Sequence, residues 1–183
     1  MILCLLLVLL PNDSFVADAS ADATYIVNVS REALKGFADD VGLFERNMPG
    51  VLGVKDLGDG TYLYRTEKEI PLKGAMAVDF HIQKFVYGDS VTIYRSADVH
   101  AVNYMSCRVS LRAHGEHQTA IGLSLRIRME RENPGEIHWL APVLGEQFIS
   151  DRMKEDLESM IGTFIVNSTR ELSLRFAQTS SRN

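Results

Sequence analysis

The sequence contains few of the residues that carry specialised chemistry. Its 183 residues include two cysteines, one tryptophan and five prolines. The hydrophobic fraction of 46% and the charged fraction of 23% are those of an ordinary globular protein. A chain of this length fits one domain and can bury a core without disulfides or metals.

The sequence also lacks an excess of positive charge. The formal net charge is −5 at pH 7, and the basic residues are spread along the chain. Nucleic-acid binding depends on a cationic surface that neutralises phosphates. Nucleic acid is therefore excluded as an expected partner.

No apolar run is long enough to cross a bilayer, which needs roughly 20 residues. The longest run is "MILCLLLVLL", Met1–Leu10, and a polar, alanine-rich stretch follows it. These features, with three A-x-A patterns between Ala17 and Ala23, are typical of a cleaved secretory signal. No Lys or Arg precedes the apolar run, so an uncleaved anchor and a start site assigned too far downstream stay open. With cleavage, we expect a periplasmic or extracellular protein; without it, a cytoplasmic one.

Removal of this leader would change the rest of the chain only slightly. Residues 1–23 contain three aspartates and no basic residue, so the formal charge would become −2. Cys4 would leave too, and Cys107 alone rules out an internal disulfide; it is expected as a small core residue. We predict a leader over residues 1–23, one domain over 24–177 and a flexible tail over 178–183.

The domain is predicted to begin with a strand, "TYIVNV" at 24–29, followed by short helices. Ser30 is a candidate N-cap, and Leu34, Phe37, Val41 and Phe44 form a helical stripe. Gly36 and Gly42 are expected to split this helix into two short pieces, which Pro49 ends.

From Val51 to Arg131 the apolar residues recur at every second position. "VLGVKDL" and "TYLYRTEKEI" flank Gly58-Asp-Gly60, which predicts a hairpin with glycines at positive φ. Three further segments alternate strictly: "AMAVDFHIQKFV", "NYMSCRVSLR" and "AIGLSLRIRMER". The pattern predicts a mainly antiparallel sheet with one apolar and one solvated face.

The C-terminal region has a helical period instead. Apolar residues between Phe148 and Leu172 recur at helical spacing, and we expect a helix from about Phe148 to Arg175, with Gly162 marking a bend. It is the one predicted element large enough to cover the apolar sheet face. The fold class is therefore α+β, with a curved antiparallel sheet of about six to seven strands on a long terminal helix.

This order of elements resembles the START-like superfamily of helix-grip proteins, which includes polyketide cyclase/dehydrase and lipid-transport members (SRPBCC). The matching segments are "MPGV" after the short helices, the "V-x-x-L-G-D-G" hairpin, "PLKG" before the next strand and "IHWLAP" before the long helix. The resemblance covers about residues 23–174. It implies a cavity between sheet and helix, and no universal catalytic motif.

By position in such a fold, certain residues of the inner sheet face and the sheet-facing side of the helix are candidates to line the cavity. Plain core packing accounts for any single one of them equally well. The candidates are Met76, Phe80, Met105, Val109, Leu125, Ile127, Trp139, Met160 and Phe164.

The five histidines and Trp139 are candidates for more specific roles. His114 and His117 share a turn, but two ligands fall short of the three or four of a zinc site. His81 and His100 are expected to be exposed, and no metal or other cofactor is predicted. His138-Trp139 should close the last strand, where Trp139 is expected to anchor the structure, or alternatively to gate the cavity.

Catalytic patterns are weak. The sequence has no G-x-S-x-G elbow and no interpretable Cys–His spacing, and Asp39-Asp40 and Glu67/Glu69 are expected to be solvated acids. Arg95, Arg108, Arg126 and Arg128 should form a ladder on the outer sheet face; one of them turned inward could bind a carboxylate or phosphate.

Three functions remain open at this point. The first is a non-enzymatic protein that binds an apolar small molecule such as a lipid, isoprenoid or pigment, with possible transient membrane contact. The second is a cyclase or dehydratase acting on a polyketide-like substrate, which requires a polar group facing into the cavity. The third is an accessory protein whose surface binds a partner.

Overall fold

The computed structural model of the protein describes residues 14–34, 36–70 and 74–180. This part of the chain forms one antiparallel sheet in the order β1-β7-β6-β5-β4-β3-β2, with two α-helices. The predicted α+β helix-grip architecture is confirmed. Its elements are β1 (Phe15–Val27), α1 (Gly42–Asn47), β2 (Val51–Gly58), β3 (Thr61–Ile70), β4 (Gly74–Tyr87), β5 (Val91–Ser96), β6 (Asn103–Ala113), β7 (Thr119–Arg131) and α2 (Ala141–Ser180).

β1 starts nine residues earlier than predicted. It pairs with β7 along its whole length, from Phe15 opposite Arg131 to Val27 opposite Thr119. Ala17, Ala19 and Ala21 are buried, so the A-x-A patterns are the inward face of a strand. Residue 24, at which the domain was expected to begin, lies inside β1. Residues 1–13, including the apolar run and Cys4, lie outside the described residues.

The two short helices predicted after β1 correspond to turns and to α1. Residues 31–34 and 36–39 form turns, and only Gly42–Asn47 is α-helical. The predicted apolar stripe is nevertheless buried, with Leu34, Phe37 and Phe44 each at most 4% exposed. The glycines interrupt the helix without changing which side chains enter the core.

The predicted hairpin joins β2 to β3. Gly58 and Gly60 adopt positive φ, as expected, and Asp59 between them does so too. At the other end of β2, Gly50 has φ +78, and a Cβ there would lie 2.9 Å from the carbonyl oxygen of Glu67. "MPGV" therefore requires glycine for both conformation and space. Pro71–Lys73 of "PLKG" lie outside the described residues.

The alternating pattern of the strands is confirmed. Val78, Phe80 and Ile82 of β4 are buried on one face, and so are Met105, Cys107, Val109 and Leu111 of β6. Leu123, Leu125 and Met129 of β7 continue this face. The opposite face carries polar and charged side chains, as a sheet with one solvated side requires.

α2 is longer than predicted, because it begins at Ala141 and reaches Ser180. Its backbone departs from helical geometry at Gly145 (φ 77, ψ 172) and not at Gly162, where a bend was expected. Residues 178–180, expected to be a flexible tail, are helical, and residues 181–183 lie outside the described ranges. No helix within those ranges is long and apolar enough to cross a membrane.

α2 packs most closely along β1. A stripe at helical spacing is buried, formed by Ile149, Met153, Leu157, Ile161, Phe164, Ser168 and Leu172. The small alanines of β1 let the helix approach the strand. Two side chains of α2 also satisfy the free edge of β1: Glu146 Oε1 accepts from Val16 N at 2.6 Å, and Ser150 Oγ accepts from Asp18 N at 3.1 Å. The helix therefore covers an edge that would otherwise be open to pairing.

Candidate functional site

An aromatic cluster fills part of the space between sheet and helix. Phe44 of α1 stacks on Phe164 of α2, with ring centroids 5.5 Å apart. Its edges meet Tyr94 of β5 at 5.3 Å and Tyr64 of β3 at 6.3 Å. Such ring pairs stabilise a core beyond the area they bury. Phe44 therefore occupies part of the space between sheet and helix.

The two tyrosines of this cluster hold the segment before α1 in place. The Tyr94 hydroxyl donates to Ala38 O at 2.7 Å, and the Tyr64 hydroxyl donates to Val41 O at 3.2 Å. Burial raises the pKa of both phenols far above the ordinary value. Both therefore remain protonated donors at neutral pH, and their role is structural.

A polar contact ties α1 to α2. Glu171 Oε2 accepts from Asn47 Nδ2 at 2.6 Å, and Glu171 Oε1 accepts from Arg46 at 3.2 Å and Arg175 at 2.8 Å. Burial alone would raise the pKa of Glu171, but the hydrogen bonds from Asn47 and Arg46 lower it below its ordinary value. The carboxylate is thus ionised at neutral pH and fixes α1 against the helix.

Most predicted cavity residues are part of the packed core. Five are buried: Phe80, Met105, Val109, Leu125 and Phe164, none more than 7% exposed. Met76, Ile127 and Met160 are partly buried and pack against this core. None of the nine candidates borders either of the two pockets described below, and a cavity lined by them stays a prediction.

Trp139 differs from its prediction. It is 42% exposed, so it does not bury a large apolar area. It follows a 3-10 turn, Pro134–Glu136, rather than the end of β7, and its ring stacks on His138 with centroids 6.2 Å apart. The anchoring of this segment is done by its neighbours Ile137 and Ala141, which are buried.

A small pocket with both apolar and polar lining residues lies between the end of β1 and the C-terminal part of α2. Its volume is about 330 Å³. Val27 and Leu172 form its buried floor, and Ile26 is 50% exposed at its mouth. The complete lining is Ile26, Val27, Asn28, Val29, Thr169, Leu172, Ser173 and Phe176. This cleft, called the β1–α2 pocket below, falls within the size range of small-molecule sites.

A buried polar pair adjoins the β1–α2 pocket. The Tyr25 hydroxyl and Ser168 Oγ are 3.3 Å apart, and Ser168 is fully buried. Tyr25 lies on the same strand face as Val27, and Ser168 precedes the lining residue Thr169. Burial raises the pKa of Tyr25 to about 12. The pair can donate or accept a hydrogen bond but cannot act as an acid–base group near pH 7 in this state.

A larger groove of about 690 Å³ runs beside the N-terminal half of α2. Its side chains are mainly acidic or hydroxylic, including Asp18, Asp22, Asp151 and Glu158, with Lys154 as the basic member. The hydrogen bond from Arg126 lowers the pKa of Asp18, so this carboxylate stays charged. Such a lining suits water and polar groups and does not favour an apolar ligand.

The other candidate residues are on the surface or in the core, as predicted. His81, His100, His114 and His117 are exposed. Among the described residues, no three His, Cys, Asp or Glu side chains are grouped to hold a metal ion. Cys107 is buried in the core, as expected. Burial raises the pKa of its thiol to about 12, so the thiol stays protonated at neutral pH.

The four candidate arginines do not enter the interior. Arg126 is bidentate to Asp18 across the outer face, at 3.0 and 2.5 Å, and Arg128 pairs with Glu130. Arg95 lies over the Phe85 ring, and Arg108 is exposed. The outer-face ladder is correct, and inward binding of an anion by one of these arginines is wrong.

Sequence reasoning missed the residues that shape the interior most. Phe44 and Leu172 were assigned to helical stripes, and Tyr64 and Tyr94 were not singled out. Tyr62 and Tyr64 alternate in "TYLYRT", which signals two aromatic side chains on one strand face. Nothing local, however, indicates that Phe44 reaches them from another element.

The comparisons with known proteins agree on the fold. No protein-family model and no curated protein matches the chain. Solved structures do match: a START superfamily protein from Mycobacterium smegmatis has a TM-score of 0.54 at 14% identity, over 87% of this chain and 98% of that one. The Zhui aromatase/cyclase from Streptomyces sp. R1128 has a TM-score of 0.53 at 15% identity, over 84% and 90%.

A third structure is a larger protein. The di-domain aromatase/cyclase StfQ from the steffimycin biosynthetic pathway matches with a TM-score of 0.58 at 8% identity. The match covers 88% of this chain but 52% of StfQ, so the chain spans about half of that protein's length. Together with the sheet order and the long C-terminal helix, these likenesses define the chain as a protein with the START-like helix-grip fold.

Proposed function

We propose that this protein binds an apolar small molecule, such as a lipid or isoprenoid, between the sheet and α2. The β1–α2 pocket carries the proposal, because it is a cleft at the junction of strand and helix with five apolar residues among the eight that line it. Val27, Leu172 and Phe176 offer a surface from which water is released when an apolar group enters. The START-like fold supports a hydrophobic ligand but does not identify which molecule it is.

The pocket also has the few polar groups that would orient a ligand. Asn28, Thr169 and Ser173 are among its lining residues, and Ser168 of the Tyr25–Ser168 pair directly precedes Thr169. A mostly carbon-lined site with sparse polar contacts is typical of small-molecule sites. An apolar chain with one hydroxyl or carbonyl group fits this arrangement.

The test is uptake of Nile red, an apolar fluorescent probe, by the purified protein. Ser173→Trp places a large side chain at the exposed wall of the pocket and should reduce Nile red affinity about tenfold, because the probe's binding volume is filled. Ser159→Trp is the matched control, since Ser159 is an exposed serine on α2 outside the pocket. Equal binding by both variants would rule out the β1–α2 pocket as the site.

A cyclase or dehydratase is the second candidate, favoured by the buried Tyr25–Ser168 pair. A phenol that donates to a substrate carbonyl would polarise it for ring closure or loss of water. Tyr25→Phe removes the hydroxyl and keeps the ring, so it separates the two functions. A pure binding protein should keep its Nile red affinity within about twofold; an enzyme should lose turnover of a polyketide-like substrate while the probe still binds.

An accessory role is the third candidate. A tight protein complex recovered in pull-downs, together with unchanged Nile red affinity in Ser173→Trp, would favour it. Native mass spectrometry of gently purified protein distinguishes the first candidate, because a co-purifying apolar mass is expected there.

A further inference from the structure

The polar residues that line the β1–α2 pocket differ in which of their hydrogen-bonding atoms are already engaged. Three of the eight lining residues are polar: Asn28, Thr169 and Ser173. An atom that is already bonded within the protein binds a ligand only if that bond is lost. The atoms that remain free therefore define what the polar end of a ligand must supply.

Asn28 keeps its side-chain nitrogen free. Its Oδ1 accepts a hydrogen bond from Gln118 Nε2 at 2.8 Å, and nothing among the described residues accepts from its Nδ2. Gln118 immediately precedes β7 and lies on the β7 side of β1, whereas the pocket lies on the α2 side. The oxygen and nitrogen of an amide point in different directions, so Nδ2 is a donor on the side away from Gln118.

The two hydroxyl groups that α2 contributes to the lining differ in the same way. Ser173 Oγ donates to Thr169 O at 2.8 Å, so the hydrogen of this hydroxyl is used within the helix. The Thr169 side chain is half-buried, and its Oγ1 has no hydrogen-bond partner in the part of the chain that the structure describes. Thr169 thus adds a second free donor to that of Asn28.

The lining of the pocket carries no charge. None of its eight residues is acidic or basic. Two charged residues follow Thr169 on α2, but neither lines the pocket: Arg170 is exposed, and Glu171 accepts from Asn47 at 2.6 Å. A carboxylate or ammonium group that left water in the pocket would have no counter-ion among the lining residues, and burial of an unpaired charge is strongly unfavourable. An uncharged polar end avoids this penalty.

We propose that the β1–α2 pocket selects an uncharged apolar molecule whose polar end is a hydrogen-bond acceptor, such as the carbonyl oxygen of an ester or ketone. Asn28 Nδ2 and Thr169 Oγ1 donate to that oxygen. The apolar part of the molecule lies on Val27 and Leu172, the buried floor of the pocket. Gln118 is a positioning residue, because it holds the Asn28 amide with its nitrogen free. This inference rests on the proposed function and narrows the ligand of the pocket to one chemical class.

Displacement of Nile red from the purified protein tests the class of ligand. Methyl octanoate and octanoate have the same apolar chain, and at pH 8 only octanoate is charged. We expect the methyl ester to displace Nile red at a concentration about tenfold lower than octanoate does, because the carboxylate would leave water without gaining a counter-ion. The ratio of the two concentrations is compared, so a change in the affinity for Nile red itself does not affect the result.

Two substitutions of Gln118 test its positioning role. Gln118→Lys is the conservative variant, because an ammonium group still donates to Asn28 Oδ1, and affinity for methyl octanoate should stay within about twofold. In Gln118→Glu the new carboxylate only accepts, so the Asn28 amide should turn and present Oδ1 to the pocket. Affinity for the ester should then fall about five- to tenfold, because a donor is replaced by an acceptor. The ester is uncharged, so the charges introduced by the two variants do not by themselves explain a difference.

Thr169→Val tests the second donor. It removes the hydroxyl, keeps the shape of the side chain, and should lower the affinity for methyl octanoate about fivefold. Thr163→Val is the matched control, since Thr163 is an exposed threonine of α2 outside the pocket whose hydroxyl donates to Ser159 O at 3.1 Å. Unchanged circular dichroism establishes that all of these variants fold.

Two results would overturn this inference and leave the proposed function standing. The first is displacement of Nile red by octanoate at the same concentration as by its methyl ester. The second is equal affinity for the ester in Gln118→Glu and Gln118→Lys. In both cases Nile red uptake, and its loss in Ser173→Trp, would still establish ligand binding in the pocket. Absence of Nile red uptake by the unmodified protein would overturn the proposed function and this inference together.

Discussion

Phe44 is the residue on which the interior of this protein depends most. It belongs to the six-residue helix α1, yet it touches rings from two strands and from α2. Its ring is 4% exposed. A short helix with two glycines nearby has little stability of its own, so packing of this side chain is what fixes α1 against the sheet.

Replacing Phe44 tests this role. Phe44→Ala should lower the free energy of unfolding by about 3–5 kcal/mol, because a buried ring is lost and its neighbours collapse only partly. Phe148→Ala, which removes a 43% exposed ring, should cost less than about 1 kcal/mol. Urea denaturation measures both. If the two variants lost similar stability, the aromatic cluster would not be packed as described. Phe44→Ala should also admit more Nile red, since it empties space beside Phe164.

At the scale of elements, β1 and α2 form one unit. β1 lies at the sheet edge, pairs with β7 on one side and meets α2 through its alanines and its free N–H groups. Within residues 15–23, Val16 and Asp18 donate to α2, and Ala17, Ala19 and Ala21 are buried. A leader that ended at Ala23 would remove nine of the thirteen residues of β1. We therefore propose that any export-linked cleavage occurs before Phe15, which N-terminal sequencing of protein from its native host measures.

Two adjacent positions of β1 make the importance of residues 15–23 measurable. Ala19 is 6% exposed and faces inward, whereas Ser20 is exposed and lies opposite Arg126. Ala19→Glu should destabilise the fold by about 3 kcal/mol or more, because it buries an unpaired charge. Ser20→Glu adds the same group on the solvated face and should change stability by about 0.5 kcal/mol or less. Equal effects in thermal or urea unfolding would show that this stretch does not belong to the folded domain.

For the molecule as a whole, the buried phenols predict how stability depends on pH. Burial raises the pKa of Tyr25 to about 12 and those of Tyr64 and Tyr94 still further. The pKa of each phenol is higher in the folded state than in the unfolded state, where it is about 10. Its contribution to stability is fully present below about pH 10 and is lost as pH rises above that value toward the folded-state pKa. The folded state should therefore lose stability progressively from about pH 10 to pH 12 and beyond.

Absorbance of tyrosinate checks this prediction. The tyrosines should titrate in two groups, and the buried group should ionise only together with the loss of circular dichroism. Tyr25→Phe should shift the alkaline unfolding midpoint upward, because one of the groups that drives unfolding is absent. A single titration near pH 10 with the fold intact would contradict the burial of these three residues.

The sequence predicted the elements well wherever a local pattern was strong. Alternation from Val51 to Arg131 set the strands and the inward faces of β4, β6 and β7, since side chains of a strand point alternately to opposite sides. Glycines at positions that need positive φ placed the β2–β3 hairpin. The helical stripe after Phe148 identified α2, although its first turn, Ala141–Leu144, precedes Gly145 and carries no such stripe.

The start of β1 was missed for a physical reason. "VADASADA" alternates small apolar and polar residues, which is the period of a strand, but it is also a series of A-x-A cleavage patterns. Alanine is a weak strand former, because it offers little surface to pack. Those alanines become a buried face only because α2 lies against them, and local sequence contains no information on that contact.

The candidate site was predicted less well than the fold. Chain pattern alone indicated which residues face inward, because burial follows the period of each element. It could not indicate whether inward residues pack on one another or line a cavity, because that depends on which side chains arrive from other elements. The sequence by itself thus determined the strands, the long helix and the apolar faces of the helix-grip fold. Only the tertiary structure decided that Phe44 fills part of the interior, that a pocket lies between Val27 and Leu172, and that the Trp139 ring is partly exposed, since each outcome depends on contacts between residues distant in the chain.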